Sequence, residues 1–151
     1  MYIDNKLYNR IRSLIPIICV ELVIERDQSL LLVKRNKPPA KDQWWTPGGR
    51  ILKDESIAMA CKRKIEEEVG LDGEFVDIIG ITETMFDKCS DCPSVHTVNI
   101  VCLMHMSENN QNISLDIDHD AYIWQKYPDP SFHTAVKKIF SLRNTYNESL
   151  V

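Results

Sequence analysis

The stretch from Pro47 to Leu71, PGGRILKDESIAMACKRKIEEEVGL, constrains what this chain can fold into more than any other part of it. It opens on a Pro-Gly-Gly turn and closes on Val69-Gly70-Leu71, with glycine where a helix ends in a left-handed residue. Ala58, Cys61, Ile65 and Val69 recur at spacings of three and four, which predicts the buried stripe of an amphipathic helix. At about 100° per residue, that stripe sets Glu67 and Glu68 beside it on one face, with Arg63 and Lys64 a turn earlier and Glu66 toward solvent. Two neighbouring carboxylates aimed into one cleft repel each other, so the pair is explained most simply by a hard divalent cation, magnesium or manganese. The Gly48-Gly49 turn adds a carbonyl that no side chain obstructs. The plainer reading, an amphipathic helix with a solvated charge run, leaves the glycine turn without a purpose.

A chain of 151 residues with 44% hydrophobic and 26% charged residues is expected to form one globular domain spanning residues 1–151. A net charge of −4 offers no basic field for nucleic acid. No apolar run has the length of a membrane span or the flanks of a secretory signal, and the expected location is cytoplasmic.

Periodicity predicts a short helix within Met1 to Leu14 (Ile3, Leu7, Ile11 and Leu14 on one side) and a strand from Ile15 to Glu25. A turn at Arg26-Asp27-Gln28 then leads to a returning strand from Ser29 to Arg35. Asn36 to Gln43, with Pro38-Pro39, is a loop, and so is Ser107 to Ser114. Glu74 to Phe86, His96 to Met106 and Ala121 to Trp124 read as strands. Pro130 to Asn144 reads as a closing helix with Ala135, Ile139 and Leu142 inward. This mixed order predicts an α+β sandwich, a mixed sheet between helices.

At Gly49, Glu55, Arg63, Lys64, Ile65, Glu66, Glu67, Glu68, Val69, Gly70 and Leu71 the stretch resembles the signature of the Nudix hydrolases. That signature is a glycine, five residues, a glutamate, seven residues, then Arg-Glu-apolar-x-Glu-Glu-x-Gly-apolar. Lys64 stands where the first glutamate of the Arg-Glu pair belongs. The fixed spacing makes a chance match far less probable than for a short motif. The resemblance implies the Nudix-type α/β/α sandwich over nearly the whole chain.

Two further runs resemble the GDP-mannose mannosyl hydrolase branch of the family. One is Lys34 to Ala40 followed by Trp44 and Pro47-Gly48-Gly49-Arg50; the other is Asp116 to Trp124. That branch also lacks the first glutamate. It implies hydrolysis of a nucleotide sugar at the anomeric carbon, which needs charge neutralised on a leaving diphosphate and a base for the attacking water. Carried over to this sequence, the resemblance implies His119 as the base and a metal held by the Gly48 carbonyl, Glu67, Glu68 and Asp118. The branch has glutamine where Asp118 stands. Arg35, Arg50 and Arg63 are expected near the diphosphate, because guanidinium offers forked donors to phosphate oxygens. Arg63 has a second reading, orienting Glu67 through an i,i+4 pair. The branch also implies a homodimer.

Lys64 lies between the two carboxylates on the helical wheel, where it offsets charge that further metal ions would otherwise neutralise. Fewer metal ions are therefore expected than for the full signature. Of Trp44 and Trp45, one is expected in the core and one on the site rim, and Trp44 is taken as the substrate contact. The odd set Cys19, Cys61, Cys89, Cys92 and Cys102 is expected to be reduced; Cys89 and Cys92 with His96 lack the second pair of a zinc site. Three functions stay open: nucleotide-sugar hydrolysis at carbon, attack on phosphorus of a nucleoside triphosphate or ADP-ribose-like compound, and nucleotide binding without turnover.

Overall fold

The computed structural model describes residues 3–90, 92–107 and 112–151. The parts of the expected 107–114 loop and of the Cys89–Cys92 segment that fall on 108–111 and 91 lie outside the described residues.

The elements follow in the order α1 (Asn5–Arg12), β1 (Ile17–Arg26), β2 (Ser29–Arg35), β3 (Trp44–Trp45), β4 (Gly48–Arg50), α2 (Ile57–Val69), β5 (Gly73–Phe86), β6 (Val95–Met106), β7 (His119–Gln125) and α3 (Thr134–Ser149). The main sheet path is β3-β2-β1-β6-β5, with β4 paired to β1 and β7 to β2. β1 and β6 run parallel while the other pairs are antiparallel, so the sheet is mixed. Its central strand is buried on both faces. Val20, Leu22 and Ile24 of β1 pack with Cys61, Ile65 and Val69 of α2, whereas Val23 packs with Ala135, Ile139 and Phe140 of α3. This is the expected α+β sandwich of helix, sheet and helix.

The β1–β2 turn needs no glycine, because Asp27 and Gln28 both take left-handed angles, with φ of 48° and 63°. Helix α2 starts on Ser56, whose side chain accepts from the Met59 N–H, and stops on Gly70 at φ 66°.

Several expectations needed correction. Ala58 is exposed and Ala60 is buried in its stead, because α2 meets the sheet along 60, 61, 65, 68 and 69. Helix α1 buries none of its residues, and Leu7 and Leu14 are exposed. The closing helix begins at Thr134 rather than Pro130: Asp129 turns the chain by accepting from the Ser131 N–H and hydroxyl, and His133 Nδ1 accepts from the Ala135 N–H as the cap. Cys89 and Cys92 form a disulfide, while Cys19, Cys61 and Cys102 are free thiols. His96 pairs with Glu83 at 2.8 Å. No helix among the described residues is long and apolar enough to cross a membrane.

Candidate active site

The Pro-Gly-Gly turn is itself a short strand, β4, laid antiparallel on β1 with Glu21 opposite Gly48 and Val20 opposite Gly49. The approach is so close that a Cβ on Gly48 would sit 2.2 Å from the Val20 carbonyl oxygen, so only glycine fits. On the α2 side, the Gly48 N–H donates to Glu68 Oε2 at 3.0 Å. Glu68 is buried, and its other oxygen pairs with the Lys64 ammonium at 2.8 Å. Lys64 also reaches Glu67, which is half exposed, at 3.2 Å. Burial alone would lower the Lys64 pKa, but the Glu68 and Glu67 carboxylates outweigh it and hold the group above its ordinary value.

Arg63 ties the turn to the helix. Its guanidinium donates to both Glu55 oxygens at 2.7 and 2.8 Å, to the Arg50 carbonyl at 3.0 Å and to Glu67 at 3.2 Å. The bond from Arg63 is the main reason the Glu55 carboxyl sits below its usual pKa. Of the two readings of Arg63, the pair with Glu67 is present, its principal partner is Glu55, and the residue does not line the cavity beyond the turn.

Beyond the turn lies a cavity of about 400 Å³. Arg12, Arg35 and Arg50 line it together with Gly48, Gly49 and Asp118, and Trp45, Phe86 and Tyr8 supply aromatic walls. Arg35 is held by donating from Nε to the Pro39 carbonyl at 3.0 Å. The Arg50 guanidinium lies 4.5 Å from the centre of the Tyr8 ring. Trp45 lines the cavity and Trp44 does not; Trp44 packs against the α3-side core. Trp44, the expected substrate contact, thus stands outside the cavity, and Trp45 is the tryptophan on its wall.

Glu21 also lines the cavity, and sequence periodicity gave it no prominence because it sits in the apolar run of β1. It accepts from Trp45 Nε1 at 3.0 Å and from the Thr46 hydroxyl. Burial pushes its carboxyl up to about 7, against the pull of those two donors and with help from Glu68. With an unfolded value of 4.5, the folded protein holds an extra proton between these limits and loses stability as pH rises through them. Glu21→Gln keeps both partners and removes the charge. It is expected to be more stable than wild type above pH 7, by up to about 3 kcal/mol, with the gap closing toward pH 4.5; urea denaturation across that range measures it.

Asp118 reaches the cavity and pairs with Lys37. His119 is buried and lies outside the lining; its Nδ1 meets Asp116 Oδ1 at 2.7 Å. Asp116 belongs to the Asp116 to Trp124 run but carries no role of its own in the sequence, although an aspartate three residues before a histidine is the signal. Such a carboxylate fixes the ring and leaves Nε2 for proton transfer.

No three His, Cys, Asp or Glu side chains form a metal cage among the described residues. The Glu67 and Glu68 carboxylates, drawn together on Lys64, are nevertheless hard oxygen donors, and Glu68 is buried with Glu21 close enough to feel its charge. This set fits one oxygen-ligated divalent cation with further oxygens from a ligand. Lys64 already supplies one positive charge to it.

Comparison with known proteins matches the NUDIX domain to residues 16–141. The chain is 26% identical over 125 residues to low-salt glycan biosynthesis protein Agl8 of Haloferax volcanii, covering 82% of this chain and 80% of that one. It is 31% identical over 89 residues to an ADP-ribose pyrophosphatase of Methanocaldococcus jannaschii, covering 59% of this chain and half of that relative's length. Among solved structures, a MutT NUDIX hydrolase from Burkholderia pseudomallei superposes with a TM-score of 0.71 at 26% identity, over 85% of this chain and 98% of that chain. A MutT protein from Methanosarcina mazei Go1 gives 0.75 at 22% identity, over 88% and 96%, a likeness of fold. NUDIX enzymes act on small nucleotide-type molecules and generally use a divalent metal. With its glycine turn, acidic helix end and mixed sheet matched along most of its length, the chain belongs to the NUDIX hydrolase family.

Proposed function

We propose that this protein hydrolyses a nucleoside diphosphate linked to a second group, foremost a nucleotide sugar of the GDP-mannose kind. The observation that carries the reading is the cavity of about 400 Å³ that joins Arg12, Arg35 and Arg50 to the Gly48-Gly49 turn. Its aromatic walls suit a base or sugar ring, its guanidinium groups suit phosphate oxygens, and the turn connects both to the acid pair through the Gly48–Glu68 bond. Magnesium, held by Glu67, Glu68 and the Gly48 carbonyl, would neutralise the diphosphate as it leaves. Asp118 borders the cavity, and the neighbouring His119, oriented by Asp116, takes the proton of the attacking water.

A second reading, attack on phosphorus, is favoured by His119 standing outside the cavity lining while the acid pair adjoins the turn. Hydrolysis of nucleotide sugars, dinucleotides and nucleoside triphosphates with magnesium in ¹⁸O-water separates the two. Label in the released sugar is the expected result. Label in a phosphate replaces the first reading with the second, and tight nucleotide binding without turnover overturns both.

A further inference from the structure

Lys64 is largely covered, with its side chain 16% exposed, and its ammonium is shared by Glu67 and Glu68 at 3.2 and 2.8 Å. It also fills the space that glycine leaves in the turn: a Cβ on Gly49 would meet Lys64 Cε at 2.8 Å and Nζ at 3.2 Å. The turn and the lysine are therefore packed against each other, with the ammonium set between the two carboxylates that would hold a cation. Glu68 is bound on both oxygens, by Gly48 N–H and by Lys64, so the pair is already satisfied in the free protein.

We propose that Lys64 is the resident cation of this acid pair, so that a divalent ion enters only together with a ligand carrying a diphosphate and not on its own. The inference rests on reading Glu67 and Glu68 as the divalent site. Three carboxylates (Glu55, Glu67 and Glu68) set against Lys64 and Arg63 leave a single net negative charge, too little to strip water from a divalent ion, and no group of three His, Cys, Asp or Glu side chains forms a cage among the described residues. A diphosphate brings two further negative charges and its own oxygens. A unit charge about 4 Å from a doubly charged ion weakens its binding by about thirtyfold even at the dielectric constant of water, and by more where the site is half buried.

The test is protein-bound manganese, measured by water-proton relaxation, with inorganic pyrophosphate as the probe. Wild type is expected to retain manganese only when pyrophosphate is present. Lys64→Met, which keeps a flexible chain over Gly49 and removes the charge, is expected to bind manganese without pyrophosphate about thirtyfold more tightly than wild type does. Lys64→Arg should behave like wild type. Equal manganese binding by wild type and Lys64→Met without pyrophosphate overturns the proposal, and so does absence of manganese from wild type in its presence. Should Lys64→Met fail to fold, the melting temperature of wild type decides: a rise with manganese alone overturns the proposal, and a rise only with manganese and pyrophosphate together supports it. None of these measurements needs turnover, so an inactive protein that passes them would remove the hydrolase reading alone.

Discussion

Glu68→Gln is expected to lower hydrolysis by about 10²- to 10³-fold while leaving the protein folded, because it removes a full charge from the place where the diphosphate is proposed to be neutralised. Glutamine has the shape of glutamate and still accepts the Gly48 N–H, so the bond that fastens the turn to α2 survives. What disappears is the negative charge at the buried end of the pair, leaving Lys64 to face Glu67 alone. Rates measured as a function of magnesium concentration, together with a denaturation curve, check both halves. Wild-type turnover in Glu68→Gln would remove the acid pair from the mechanism, whatever its contacts.

Arg63→Ala should instead act mainly on stability. Arg63 is three-quarters covered and meets both oxygens of a nearly covered Glu55 as well as the Arg50 carbonyl. Removing it strands that carboxylate against the turn, at an expected cost of about 2–3 kcal/mol near pH 7. The Glu55 carboxyl is held below its unfolded value of 4.5, so its contribution is present above that pH and is lost as pH falls through its lower folded value. The difference between wild type and Arg63→Ala in urea should therefore shrink below pH 4.5. A difference unchanged between neutral and acid pH would mean that Arg63 stabilises through packing alone. Activity should fall as well, since Arg50 and the cavity rim depend on the same turn.

Much of the fold was legible because its signals are local. The hairpin of β1 and β2 rests on a run rich in β-branched residues before a short polar turn and a leucine-rich run after it, and β2 occupies the expected Ser29–Arg35. The helix ending on Gly70 follows from its periodicity and the left-handed cap. Where the reading strayed, a neighbour decided. Ala58 satisfies the same helical spacing as the buried positions, but it is Ala60 that packs in the core beside Cys61 and Ile65. The short strands β3 and β4 exist only because β2 and β1 lie alongside to bond them.

The site divides in the same way. Sequence alone determined that Glu67, Glu68, Arg63 and Lys64 share one face beside a glycine turn, because a helix sets those angles whatever surrounds it. Only the tertiary structure decided that Lys64 lies over Gly49, that Trp45 rather than Trp44 lines the cavity, and that Glu21 is buried there with a raised pKa. Each of these depends on residues far apart in the chain, or on which face of a strand is covered, and such contacts and the low dielectric around them arise only once the layers have packed.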